Sequence, residues 1–578
     1  MAPPIGTERS QEPSADARSA RALSWLLGGA TVVATLGLLA WLAATVRATQ
    51  VPFDEDEAAH ARAAFDVWRA ATHASVGELG AAIARQGFYP PLHSLLVAVS
   101  YGIAGPTLAA SRLPSVLLLA FAAGALAVAA WRVEKECAPA NATRSHGPIA
   151  GGWIVALSAF ATSPIGVGNA VLCMLEPLAL AGLGVLLIVL TGFERRAVRE
   201  PEAARESLGW AGLGLLVGVI GLGTKYSFAV IEIAALALAV ATEPAALSMA
   251  RRVARRLAAV LLPPLLVLGA WLMITDPAQV GYFFFGHPSY APLFSRANLL
   301  FFPRAWLHEY FVSPLVGCVV AVLAAVGART SWRSLTVRAS AFVIVTSWAL
   351  LTLSTTDESR HAILVVPAAA LLAGRGVRAL GERLGGTEGR VSTSATAPLV
   401  LWAALMASAA TPWAVALPAA VRAALEGAPE LDALARFASR RVDPEQPMLA
   451  NGLFDQLGVD GLAWRIASDR GGAIATRQVR IARYPVEPEL ASMAARRGFG
   501  VDPLWADRAL AGASFDDVAA SGRYRHVVQL VDRLGELPNP SWEDVARVCR
   551  SRRVGRLDLG RWILIVADLG ANDGRAPR

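Results

Sequence analysis

Apolar runs long enough to cross a bilayer as helices recur eleven times along this sequence, and that repetition restricts the fold more than any motif does. They cover about 25–46, 113–131, 149–166, 175–193, 208–223, 226–242, 257–274, 312–328, 339–355, 361–374 and 396–416. In hydrocarbon the backbone must satisfy its own N–H and C=O groups, so such runs are expected to be helical. Composition agrees, since 17% of the 578 residues are charged where a soluble domain carries about 25%. One further run, Leu92 to Ala104, has only thirteen residues and follows Tyr89-Pro-Pro91. That length suits an interfacial or re-entrant segment better than a span.

Setting that short run aside fixes an orientation. With eleven spans and a cytoplasmic N-terminus, the inner polar stretches are 1–24, 132–148, 194–207, 243–256, 329–338 and 375–394. Each holds three or four basic residues, while the short outer loops at 167–174, 224–225 and 356–360 hold at most one. This is the positive-inside asymmetry. Counting 92–104 as a span would invert every later loop. Residues 1–24, rich in Ala, Ser, Pro and Arg, read as a disordered cytoplasmic N-terminus. The run at 25–46 exceeds a signal-peptide core and reads as an uncleaved first span.

The loop from 47 to 112 is therefore extracytoplasmic, and so is the chain beyond Leu417, where Arg and Asp rise and long apolar runs stop. Short strands at 523–531 and 561–567, with helices at 431–440 and 542–549, suggest a small α/β domain over 417–578. The expected class is a polytopic α-helical membrane protein of about 11 transmembrane helices with a small extracytoplasmic C-terminal α/β domain. The four cysteines, Cys137, Cys173, Cys318 and Cys549, are too dispersed for a disulfide framework or a structural zinc site. Asn141-Ala-Thr143 fits a glycosylation acceptor by pattern but falls in an inner loop.

Within this frame the unusual ionisable residues all fall on the outer side. Asp54-Glu-Asp-Glu57 follows the first span directly. Taken alone, these carboxylates suit the first turn of a helix, where they complement its dipole. Glu176 opens the fourth span. Lys225, one of two lysines in an otherwise Arg-based chain, lies in the turn between the fifth and sixth. Glu232 follows seven residues later and is a natural partner for that lysine. Arg360 and His361 open the tenth span, and His60 and His93 read as satisfied interface histidines. Cations beside a membrane suit a phosphate, and a nearby carboxylate suits removal of a hydroxyl proton.

These residues resemble a known family. Asp56-Glu57-Ala-Ala-His60-Ala, followed by Phe88-Tyr-Pro-Pro-Leu92, is similar to the first extracytoplasmic loop of the GT-C glycosyltransferases, above all the aminoarabinose lipid A transferases and protein O-mannosyltransferases. Arg112-Leu-Pro-Ser-Val116 resembles their Arg-Leu motif. Leu175-Glu-Pro-Leu-Ala179 resembles a second-loop motif that usually has Asp in place of Glu176. Gly221-Leu-Gly-Thr-Lys225 is one residue shorter than its counterpart, and Arg360-His-Ala-Ile-Leu-Val-Val-Pro367 has His361 where the family has Tyr. The resemblance covers about residues 20–375, a GT-C-like transmembrane catalytic domain at 25–416, and leaves the C-terminal domain without a role.

What the resemblance implies is an integral protein of the plasma (inner) membrane that moves a sugar from a polyprenyl-phosphate donor to a lipid, glycan or protein acceptor outside the cytoplasm, with inversion. Asp56 is then the general base, with Glu57 as companion and Asp54 as the alternative base. Lys225, Arg360 and His361 bind the donor phosphate. Glu176 and His60 orient the acceptor or hold a divalent ion, the metal question being open within the family. The competing expectations are a transporter or flippase for a lipid-linked or anionic solute, and a non-catalytic binding protein of the same fold. Asp276 to Phe311, with aromatic Tyr282 to Phe285, is expected to be a loop that takes part in acceptor choice.

Overall fold

A computed structural model describes residues 15–73, 75–87, 89–136, 151–199, 203–243, 250–277, 280, 292–354, 358–384, 393–425, 430–451, 458–484, 514–533 and 553–569. The expected helix at 542–549, the Asn141 pattern, Cys137, Cys549 and the aromatic run at 282–285 lie outside these residues. Six helices are long and apolar enough to span alone: Ala22–Ala48, Leu108–Lys135, Glu176–Glu194, Ser207–Thr224, Ala250–Ile274 and Leu335–Ser354. Three bent helix pairs bring the number to nine among the described residues if each pair counts as one span. The expected total of about eleven also needs the short helix Tyr226–Ala241 and the charged-ended helix Val365–Leu384.

The bends have local causes. Gly152–Ala161 and Pro164–Ala170 meet at 58° because Ser163 caps the second helix, accepting from Gly166 N, and Pro164 cannot continue the first. Ser313 and Pro314 restart the chain in the same way after Arg296–Tyr310, and those helices cross at 111°. The expected loop at 276–311 is therefore partly helical: Ser295 accepts from Asn298 N and starts Arg296–Ala305. Two other boundaries move. The first helix begins at Ala15, inside the stretch expected to be disordered, and the last apolar helix runs to Ala424, past the expected limit at 416. The first shift reflects polar residues continuing a helix whose hydrogen bonds an apolar run has already nucleated, and the second continues through the Ala-rich stretch 417–424, where only Arg422 is charged.

Four helices lie around the carboxylate run: α1 (Glu55–His73), α2 (Val76–Ala84), α3 (Leu92–Ala104) and α4 (Leu108–Glu136). The short run at 92–104 is thus a separate helix with the limits read from hydropathy. The most enclosed helix is α5 (Val365–Leu384), buried on almost every side over its first fifteen residues. Small residues let its neighbours come close. A Cβ on Gly374 would stand 2.2 Å from Gly152 O, and one on Gly376 would stand 2.0 Å from Leu323 O. The turn carrying Arg360 and His361 sits at the start of this anchored helix.

The C-terminal region forms a five-stranded mixed sheet of order β2-β1-β3-β5-β4, with β1 Met448–Asn451, β2 Ile481–Tyr484, β3 His526–Asp532, β4 Arg553–Leu559 and β5 Trp562–Asp568. β1 runs parallel to β2 and β3, and β5 antiparallel to β3 and β4. Helices α6 (Glu430–Ser439) and α7 (Val459–Asp469) cover one face, and their apolar core continues into α1 and α3. Phe53 meets Trp464 edge-to-face at 4.8 Å, and Asp66 accepts from Thr476 N and Oγ1, both at 2.9 Å. Arg62 reaches Asp460 and Thr476, and Arg69 donates to Gly472 O. The helix bearing the carboxylate run is thus held from above by the sheet domain.

Candidate active site

The four consecutive carboxylates do not act as a block. Asp54 ends the extended entry to α1 and caps it, Oδ1 accepting from Glu57 N at 2.8 Å. Burial, and then the charge of Glu57, push the Asp54 carboxyl up to about 7. Glu57 faces inward, one turn on from the cap. Arg112 forks onto it, Nε to Oε1 at 2.9 Å and Nη2 to Oε2 at 2.7 Å, and Cys173 N adds a bond of 2.6 Å. Both side chains are 1% exposed. The same guanidinium donates to Val51 O and Pro52 O, so it clamps the entry segment to α4. Glu57, expected as a companion to the base, is spent on this clamp.

Asp56 turns toward the open side. Arg360 Nη2 donates to its Oδ2 at 2.6 Å and Tyr89 OH to its Oδ1 at 3.2 Å. Burial opposes ionisation of Asp56, but Arg360, with His60 and Lys225 behind it, outweighs burial and holds the carboxyl below its ordinary value. Arg360 is steadied in turn by Glu358, Nε to Oε2 at 2.8 Å, and His361 Nε2 lies 3.2 Å from the same oxygen. The His361 hydrogen bond, against the cost of burial, helps keep Glu358 well below the usual carboxylate range. His361, buried and beside Lys225, falls to about 4 and is neutral near pH 7. Its ring nitrogen faces Glu358.

Lys225 breaks the helix ending at Thr224 from the next with an extended backbone, φ −158°. Its ammonium donates to Glu176 Oε1 at 3.2 Å, and both groups are buried. The lysine's partner is therefore Glu176, not Glu232, which lies deeper against Gly221. The two cation–carboxylate pairs sense each other: Lys225 lowers the Asp56 carboxyl, and Glu176 raises the Arg360 guanidinium. His60 fills the space between, its ring 4.5 Å from Tyr89 and 5.4 Å from His93. Burial brings His60 down to about 4, so it is neutral near pH 7.

Asp56, Lys225, Arg360, His361, Glu176 and His60 thus share one site, while Asp54 and Glu57 support it. Sequence reasoning passed over Tyr89 and Glu358, each near a motif in the chain, and over the duty of Arg112, whose position at the start of a span was its only signal. Among the described residues, no three His, Cys, Asp or Glu side chains are grouped to hold a metal ion. Glu176, one option for such an ion, has Lys225 beside it instead, so the residues present do not fit that role.

No protein-family model matches the chain, and no curated protein sequence matches it. Solved structures do. The chain resembles ArnT from Cupriavidus metallidurans bound to undecaprenyl phosphate, at TM-score 0.56 and 14% identity, over 94% of this chain and 98% of that one. The apo state of the same protein gives TM-score 0.56 and 14% identity, over 93% and 98%. The archaeal oligosaccharyltransferase AglB from Archaeoglobus fulgidus, in complex with an inhibitory peptide and a dolichol-phosphate, gives 0.49 and 12%, over 87% and 70%. The chain has the fold of ArnT.

Proposed function

We propose that this protein is a membrane glycosyltransferase that moves a sugar from a polyprenyl-phosphate donor to a hydroxyl of a lipid, glycan or protein acceptor on the extracytoplasmic face. The observation that carries the proposal is the pairing of Asp56 with Arg360 and Glu176 with Lys225, four residues from separate parts of the chain gathered on one side. The fold shared with a protein bound to undecaprenyl phosphate supports the donor class.

The pairs suggest how the site works. A donor phosphate is a third anion competing for two cations. As Arg360 turns from Asp56 to the phosphate, Asp56 loses the charge that holds its proton affinity down and becomes a better base. The acceptor oxygen then bonds to the anomeric carbon while the carbon–oxygen bond to the lipid phosphate breaks. The acceptor proton passes to Asp56, and the bond electrons leave on the phosphate oxygen. Attack opposite the leaving group inverts the anomeric centre. Lys225 and Arg360 stabilise the charge on the departing phosphate. Glu176 orients Lys225 and the acceptor, and Tyr89 keeps Asp56 aimed at the opening.

The test is substitution of the base. Asp56→Asn should lower transfer of labelled sugar from polyprenyl-phosphate donors to membrane acceptors by about a hundredfold or more. The variant should insert and melt as the parent does. Full activity in both Asp56→Asn and Asp54→Asn would sink the mechanism.

A further inference from the structure

The floor of the site holds more hydrogen-bonding capacity than the protein uses. His93, in the first turn of α3, is fully buried, yet among the described residues neither ring nitrogen has a hydrogen-bond partner. Glu176 is equally buried, and while its Oε1 takes the bond from Lys225, its Oε2 accepts none. Buried polar atoms in folded proteins nearly all find partners, so two such groups together call for an explanation. Both belong to one neighbourhood: the His93 ring packs 5.4 Å from that of His60, and Glu176 and His60 both act on the charge of His93. In the same site Asp56, Arg360 and Glu358 are 31%, 26% and 39% exposed.

We infer that His93 and the second oxygen of Glu176 form a hydroxyl-binding subsite for the glycosyl group of the lipid-linked donor. This rests on reading the site as a donor site. The chemistry of the two groups selects the ligand. A neutral imidazole presents one donor and one acceptor, and an ionised carboxylate presents only acceptors. Burial holds the His93 imidazole at about 3, so it is neutral near pH 7. A phosphate, which brings acceptors alone, could use the imidazole N–H but would be repelled by the Glu176 carboxylate, and it has Lys225 and Arg360 instead. A sugar hydroxyl both donates and accepts, and a pair of them answers both groups. The glycosyl group is bonded directly to the phosphate, so holding the phosphate at Lys225 sets the sugar beside Glu176, the lysine's own partner. His60, edge-to-face against His93 and tilted against Tyr89, lies in the wall the sugar passes.

Binding to the purified full-length protein in detergent tests this, with bare undecaprenyl phosphate and its glucose, mannose, galactose and arabinose derivatives as probes. The bare lipid phosphate should bind, and at least one sugar-bearing form should bind more tightly. In His93→Phe that added affinity should fall by about three- to tenfold, with the bare lipid unaffected. His93→Gln, which keeps a donor and an acceptor, should retain most of it. If the bare lipid fails to bind the parent protein, the donor-site reading itself is wrong. If it binds but no glycosylated form binds more tightly, or His93→Phe keeps the whole increment, the subsite is overturned. Should the phenylalanine variant lose the bare lipid as well, the selective loss must appear in His93→Leu, and its absence there overturns the proposal equally.

Discussion

Within α1, consecutive carboxylates point in directions about 100° apart, so neighbours in the chain meet different surroundings. Asp54 reaches back to the helix start, Asp56 faces the opening and Glu57 faces the core. Composition and spacing marked the run as unusual, and the resemblance singled out Asp56. Neither separated the clamp from the base, because that depends on Arg112, 55 residues on. The expectation that His93 is satisfied was wrong for the same reason: partners of a buried ring are set by packing, not by its own neighbours in sequence. Asp54 offers a measurable consequence. Its folded-state value of about 7 lies above the ordinary 3.8, so the fold keeps a proton that the unfolded chain releases. Stability from that proton is fully present below the ordinary value and is lost as pH rises toward 7. Asp54→Asn keeps the cap without the charge. Its melting temperature in detergent should rise relative to the parent's as pH goes from about 5 to about 8. A difference independent of pH would show that Asp54 does not carry this linkage.

Among the helices, hydropathy located nearly every apolar element but misjudged several ends. Periodicity and mean polarity report what can enter hydrocarbon, while bends come from single residues such as Ser163-Pro164 and Ser313-Pro314. The turn carrying Arg360 depends on α5 more than its modest apolar length suggests. Gly374 and Gly376 let its backbone touch the helices at Gly152 and Leu323, leaving no room for a methyl group. Gly376→Val should therefore destabilise the protein by about 1–3 kcal/mol or more, read as a lower melting temperature and poorer yield in detergent. The equivalent change at Gly269, where a Cβ would meet nothing within 4 Å, should be close to neutral. Equal effects at the two sites would remove the packing explanation.

For the molecule as a whole, the sheet domain closes over α1, and its contacts run from Phe53 and Trp464 to Asp66 and Thr476. That docking ties the domain to the helix carrying Asp56 and requires both to lie on one side of the membrane. The arginine pattern puts that side outside. A cysteine introduced at Arg533 should react with an impermeant maleimide in intact cells, and one at Arg255 only after the membrane is opened, in a background lacking the native cysteines. The reverse labelling would invert the topology and remove the extracytoplasmic reaction. By itself the sequence determined the membrane class, the order of the spans, the sidedness expected of the loops and the presence of an α/β end domain. Those follow from local hydropathy, charge and periodicity, which each segment carries alone. Only the tertiary structure decided which carboxylate meets Arg360, that His93 is left without a partner among the described residues, and where the end domain sits. Those are contacts between segments tens to hundreds of residues apart, and packing chooses among partners that the sequence leaves equivalent.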